Sequence, residues 1–366
     1  MAEIKEKCGI FGVYNGADAA RLTFFGLYGL QHRGQEGSGI SATDGKKIKT
    51  HKGLGLVPHV YEEKDLAALD GCHIAIGHNR YGTCGGEGLD HVQPVSTHPE
   101  MVFAHNGNIP DVSKLQKFLA DKVAIIDGLN DSELMFECIY YYYRQSGSLS
   151  GAMFNAFPLF EGAFSLLVMS RDELVVVRDQ YGIRPLSIGV YENGVYMVSS
   201  ETCALNTLQA KQIRDVKPGE MLVINKEGLR SVQLVEGKQK LDIFEFVYFA
   251  RPESYLLGKR VNEVRREFGK RLAKVHSIKA DIVVPVPDSG IPSAEGYSEV
   301  SGIPVRNALI KNRYIGRTFI TPGEHLRGAM SDMKYNTVSE VIEGKDIILV
   351  DDSIVRLNTA PRLVKR

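Results

Sequence analysis

Cys8 stands at the head of a short apolar run, Cys8-Gly-Ile-Phe-Gly-Val-Tyr14. Were the seven residues before it removed, its thiol and its own α-amine would sit on one residue. A free α-amine titrates near pH 8, so at neutral pH it can take the thiol proton without a separate histidine. The same cysteine also reads as a small buried hydrophobe. Asn106 and Gly107 offer a side-chain N–H beside a backbone that a ligand can approach closely, a pair suited to a developing oxyanion. They read equally as a hairpin turn. Arg80 presents a planar fork that meets a carboxylate with two hydrogen bonds, or is a surface charge. Asp131 can pair with an ammonium group, or only cap a helix. Far downstream, the apolar run 347–350 leads into Asp351 and Asp352. Two carboxylates at the carboxyl end of a parallel strand suit a ribose diol and Mg²⁺, and a following loop and helix start would offer N–H groups to phosphate.

These residues need elements to hold them. Up to about residue 240 the apolar runs are short and separated by Gly-rich turns, which predicts strands over 9–14, 73–78, 101–105, 164–169, 174–178 and 195–199. Runs with no polar side predict sheets buried between layers. Helices are expected over 112–119 and 132–144, the second capped by Asp131 or Ser132. Residues 235–241 are polar and read as a linker. Beyond them the rhythm changes to a charged amphipathic helix over 260–276, a β-branched strand over 281–286, a helix over 291–300 and a strand over 346–350. Strand alternating with helix predicts a parallel α/β sheet.

Bulk properties bound the function classes. At 366 residues the chain has room for two domains. Lys plus Arg number 44 and Asp plus Glu number 44, so no net charge favours nucleic acid or an anionic membrane as partner. No apolar stretch approaches the roughly 20 residues of a membrane span, and the charged start is not a secretory signal. The five cysteines, widely spaced and without a C-x-x-C pair, argue against a disulfide framework or zinc site and for a reducing cytoplasm.

Five motifs together resemble the glutaminase domain of the N-terminal-nucleophile amidotransferases: Cys8-Gly-Ile-Phe-Gly, Leu30-Gln-His-Arg-Gly-Gln35, His78-Asn-Arg-Tyr-Gly-Thr83, His105-Asn-Gly-Asn108 and Asn130-Asp-Ser-Glu133. The resemblance implies a four-layer αββα fold and a nucleophilic Cys8 that attacks the glutamine side-chain amide. It makes Asn106 and Gly107 the oxyanion hole, Arg80 the carboxylate clamp and Asp131 the partner of the α-ammonium. It also implies that residues 1–7 are a propeptide and that this domain spans 8–240. Residues 351–356, Asp-Asp-Ser-Ile-Val-Arg, resemble the phosphoribosylpyrophosphate motif of type I phosphoribosyltransferases. Residues 244–254, 284–289 and 311–320 resemble the glutamine phosphoribosylpyrophosphate amidotransferases in particular. That family implies glutamine and phosphoribosylpyrophosphate as substrates, purine nucleotides as inhibitors, a homo-oligomer and a cytoplasmic setting. It assigns Lys311, Arg313, Arg317, Ser353, Arg356 and Thr359 to the phosphoribosyl substrate, and Ser289, Asp351 and Asp352 to a Mg²⁺ site.

The sequence departs from the family in three places. Asp242 occupies the position of one iron–sulfur cysteine, so no cluster is expected. Leu357 replaces a phosphate-loop glycine, restricting φ and placing a side chain where backbone should approach phosphate. The second domain, 241–366, lacks the family's later strands and helices. A glutaminase-only form, or a non-catalytic regulatory subunit, is the competing expectation.

Overall fold

The computed structural model describes residues 8–82, 88–123, 126–312, 335–353 and 363–364. Packing divides the chain into two compact units, Met1–Asp242 and Ile243–Arg366.

In the first unit the strands are β1 (Gly9–Tyr14), β2 (Gly37–Thr43), β3 (Ile48–Leu54), β4 (Ile74–Arg80), β5 (Val95–His98), β6 (Met101–Asn108), β7 (Ala163–Met169), β8 (Leu174–Arg178), β9 (Ser187–Tyr191), β10 (Val195–Ser199), β11 (Lys211–Asp215), β12 (Glu220–Asn225) and β13 (Gly228–Gln233). The helices that cover them include α1 (Ala19–Gly29), α2 (Val57–Val60), α3 (Glu63–Ala67), α4 (Ser113–Leu119), α5 (Asp131–Ser146), α6 (Leu149–Ala156) and α7 (Thr202–Thr207). One sheet runs β11-β9-β10-β1-β4-β2-β3 and a second runs β13-β12-β8-β7-β6-β5. The period-2 alternation of each strand sends its residues to two different apolar layers. In β1, Ile10 and Tyr14 join Ile76, Leu167, Val176 and Leu222 in a core shared by the two sheets. Phe11 and Val13 turn the other way, onto Leu27 of α1 and Ala204 of α7. On the second sheet Phe103, Leu166 and Val175 face away from the shared core, onto Phe136 and Ile139 of α5 and Met153 of α6. The layers therefore run helix, sheet, sheet, helix. Both faces of the central strands are covered, which is why strands such as β1 and β8 are buried along their whole length.

Two local expectations are corrected. The strand expected over 101–105 continues to Asn108, with Asn106 opposite Ser165 and Gly107 opposite Phe164 on β7. Asn106-Gly107 is thus strand, not a hairpin turn. The cap of α5 is Asn130, whose side chain accepts from the Glu133 amide at 3.0 Å while its own amide donates to Glu133 at 2.8 Å. This reciprocal pair takes the capping work from Asp131 and Ser132.

The second unit is described by itself. Its elements include the short hairpin β14 (Tyr255–Leu256) and β15 (Lys259–Arg260), α8 (Val261–Val275), β16 (Ile282–Pro285), α9 (Ile291–Ser301), β17 (Leu309–Lys311), β18 (Tyr335–Thr337), α10 (Ser339–Ile342) and β19 (Ile347–Val350). β16 and β19 are parallel, Ile282 facing Ile347 and Pro285 facing Val350. Alternate residues feed two apolar clusters, Ile282 and Val284 with Tyr335 on one side, Val283 and Val350 with Tyr297 on the other. Buried Arg265 of α8 donates to the Phe246 carbonyl at 2.7 Å and to the Ala250 carbonyl at 2.8 Å, closing the π-helical turn Glu245–Phe249. No helix among the described residues is long and apolar enough to cross a membrane.

Candidate active site

Cys8, Arg80, Gly107 and Asp131, four residues spread over more than a hundred positions, line one cavity of about 630 Å³. Cys8 is half-buried and immediately precedes β1. That strand is flanked on both sides, by β4 and β10, and Ser200 ties down its start. The Ser200 Oγ accepts from the Ile10 amide at 3.0 Å, and the Ser200 amide donates to the Ile10 carbonyl at 3.0 Å. The nucleophile candidate therefore sits on rigid backbone.

Arg80 ends β4 opposite Gly37 of β2, is 8% exposed, and donates through Nη1 to the His91 carbonyl at 2.6 Å. Asp131 opens α5. Its Oδ1 accepts from the Ser132 amide at 2.8 Å and its Oδ2 from the Ile109 amide at 3.1 Å. The carboxylate thus lies at a helix N-terminus, where the peptide dipoles favour negative charge, and is tied to the residue that follows β6. Asn106 is fully buried beside Gly107 and is not itself on the cavity wall. Neither its Nδ2 nor its Oδ1 has a hydrogen-bond partner among the described residues. A buried amide left so is unusual. Gly107 adopts φ of +153°, and a Cβ there would lie 2.1 Å from the Ala163 carbonyl oxygen. Only glycine fits.

Two buried histidines adjoin these groups. Burial, then the neighbouring His105 and Arg80, pushes His78 down to about 3. Burial likewise lowers His105, against a smaller upward pull from Asp131. Lys52, on the cavity wall, is held below the usual lysine range by burial, with Glu133 and Asp90 opposing. Burial makes both rings weak bases, so neither His78 nor His105 suits abstraction of the thiol proton. Sequence reasoning missed Lys52, Gln93, His105 and Ser132 as cavity residues. Lys52 lies on β3, a polar strand that apolar alternation cannot find, and Gln93 lies in no regular element.

In the second unit the carboxyl ends of β16 and β19 bring Ser289, Asp351, Asp352 and Ser353 together. The Ser289 hydroxyl donates to Asp352 Oδ2 at 2.5 Å, the Asp352 amide to Asp351 Oδ1 at 2.9 Å, and the Ser353 hydroxyl to Asp352 Oδ1 at 2.9 Å. Lys311 pairs with Asp288 at 2.6 Å. Burial, then Asp351, Asp288 and Asp352, holds the Tyr335 phenol well above its usual range, a sign of concentrated negative potential. Arg313, Arg317, Arg356, Leu357 and Thr359, like residues 1–7, lie outside the described residues.

Comparison with known proteins places this fold among the glutamine amidotransferases. A family model described as a glutamine amidotransferase domain matches residues 87–207. The amidophosphoribosyltransferase of Bacillus subtilis is 42% identical over the whole of this chain and 77% of its own length. That of Methanocaldococcus jannaschii is 41% identical over 98% of this chain and 80% of its own. Among solved structures, the Bacillus subtilis glutamine phosphoribosylpyrophosphate amidotransferase complexed with ADP and GMP superposes with a TM-score of 0.87 at 41% identity, covering 98% of this chain and 78% of that one. A structure described as the allosteric regulatory enzyme of purine biosynthesis gives 0.89 at 42% identity, covering 98% and 77%. The chain belongs to the amidophosphoribosyltransferase family.

Proposed function

We propose that the chain takes nitrogen from glutamine and transfers it to phosphoribosylpyrophosphate, giving 5-phosphoribosylamine, glutamate and pyrophosphate, a step of purine synthesis. The observation that carries the glutamine half is the single cavity wall holding Cys8, Arg80, Gly107 and Asp131. In this reading the first unit is an N-terminal-nucleophile fold, residues 8–240, released by removal of residues 1–7. Arg80 holds the substrate carboxylate and Asp131 its ammonium. The α-amine of Cys8 takes the thiol proton as sulfur adds to the side-chain carbonyl carbon. Negative charge develops on oxygen and is met by Asn106 Nδ2–H and the Gly107 amide. Collapse of the intermediate returns the proton to the departing nitrogen, expels ammonia and leaves a thioester. Water then cleaves the thioester, releasing glutamate and restoring the thiol.

Residues 241–366 supply the acceptor site in this reading, with ammonia displacing pyrophosphate from the sugar. Ser289, Asp351 and Asp352 offer hard oxygen donors, and the nearby carboxylates add to burial in raising Tyr335, which suits Mg²⁺. No group of three His, Cys, Asp or Glu ligands among the described residues includes them. An ion there would therefore share its coordination with substrate phosphates. Bound Mg²⁺ would neutralise charge on the pyrophosphate leaving group. Lys311, Arg313, Arg317, Ser353, Arg356 and Thr359 are assigned to the same substrate. The Bacillus subtilis relative was solved with ADP and GMP, and purine nucleotides are proposed as inhibitors here. By family likeness the chain acts as a cytoplasmic homo-oligomer.

The deciding experiment measures two products on one preparation: glutamate from glutamine, and pyrophosphate that requires phosphoribosylpyrophosphate with Mg²⁺. Both should appear. Glutamate without pyrophosphate would reduce the activity to glutamine hydrolysis, and neither would overturn the reading.

A further inference from the structure

We propose that Gln93 is a positioning residue for glutamine cleavage, its side-chain amide holding the strand with Asn106 and Gly107 in register with the helix start carrying Asp131. Gln93 Oε1 accepts from the His105 amide on β6 at 2.7 Å, and Nε2 donates to Ser132 Oγ on α5 at 3.1 Å. The orientation of the side chain is forced, because a backbone N–H can only donate and so faces the oxygen. The segment is also seated on the other sheet. A Cβ at Gly39 of β2 would lie 2.2 Å from the Gln93 carbonyl oxygen, so glycine there lets the chain pass. One residue thus touches both sheets and the outer helix layer.

The amide also sets a proton. Ser132 Oγ receives the Gln93 N–H and must place its own hydrogen elsewhere. The hydroxyl reaches His105 Nδ1 at 3.0 Å and Asp131 Oδ1 at 3.4 Å, and we assign its hydrogen to the nearer acceptor, His105. A ring that accepts at Nδ1 carries its proton at Nε2. That buried Nε2 has no hydrogen-bond partner among the described residues and lies 2.9 Å from the point where a Gly107 Cβ would stand. Gln93 therefore decides both the spacing of the two substrate clamps and the tautomer of the imidazole against Gly107. Displacement of about 1 Å in such a frame lowers turnover by up to about a hundredfold.

The inference rests on the roles proposed for Asn106, Gly107 and Asp131. Gln93→Glu separates positioning from space-filling. The carboxylate has the same shape and still accepts from His105, but it cannot donate to Ser132. The Ser132 hydrogen then turns to the new carboxylate, and His105 must switch its proton to Nδ1. The purified full chain, its histidines labelled with ¹⁵N, is compared as wild type, Gln93→Glu and Gln93→Leu, with His105→Gln assigning the ring signals. Wild type should show His105 protonated at Nε2, and Gln93→Glu at Nδ1. Both Gln93 variants should lose about tenfold or more in glutaminase kcat with KM changed by less than about threefold, the pattern of a lost transition-state interaction. An Nδ1 proton in wild type, or wild-type kcat in Gln93→Glu, overturns the proposal. The isosteric variant decides the matter even where Gln93→Leu does not fold. Asn106→Ala runs alongside. Unchanged kcat there overturns the oxyanion reading itself, whereas its collapse beside a wild-type Gln93→Glu overturns Gln93 alone.

Discussion

Cys8 owes its proposed reactivity to its own backbone nitrogen, since burial makes His78 and His105 weak bases. On the proposed mechanism residues 1–7 must be removed to free that amine. Protein that hydrolyses glutamine should begin at Cys8 by intact mass, and full retention of the leader in an active sample would end the N-terminal mechanism. Cys8→Ala should abolish turnover. Asn106→Ala should lower kcat by roughly 10²–10³, the usual effect of losing one oxyanion donor. A rise in KM alone would make Asn106 a ground-state binding residue. Asn106 suits the stronger role because both polar atoms of its amide are buried without partners among the described residues.

Among the elements, α5 bears most directly on the site. Its first residue is Asp131, and the Asn130–Glu133 capping pair sets where the helix begins. Asn130→Ala should destabilise the first unit by about 1 kcal/mol. Because Asp131 is the next residue, the same change should raise KM for glutamine more than it lowers kcat. Chemical denaturation and steady-state kinetics check the two halves, and an unaltered KM would show that Ile109 and Ser132 alone hold the carboxylate. The cap lies one residue before Asp131 and two before Ser132, the two candidates the sequence offers. Asn, Asp and Ser are all good caps, and only the reciprocal hydrogen bond to Glu133 chooses among them.

Across the whole first unit, stability is linked to pH by the buried histidines. His78 binds its proton near pH 3 when folded and near 6.5 when unfolded. Between those values the unfolded chain holds a proton that the folded chain lacks, so stability falls as pH falls. The slope from His78 is about 1.4 kcal/mol per pH unit between those values, and above pH 6.5 it vanishes with stability at its full value. His105 acts in the same direction. Urea melts between pH 7 and 4 should show the decline, and His78→Gln should flatten it. An equal slope in that variant would assign the decline to carboxylates instead.

Much of this was legible along the chain. Apolar runs marked β1, β8 and β10 to the residue, because strands covered on both faces are continuous in hydrophobicity. The motif order around Cys8, Arg80, Asn106 and Asp131 pointed to glutamine chemistry before any coordinates. The glycine- and serine-rich β2 and the polar β3 were invisible, since their place comes from pairing with β4 and not from their own pattern. Above all, no local signal announces Gln93, an isolated polar side chain in a loop. Its importance arises when folding brings His105 and Ser132, 27 positions apart, within reach of one amide. Residue chemistry is local and can be read in order. Which groups share a hydrogen bond depends on long-range packing, and only the tertiary structure decides it.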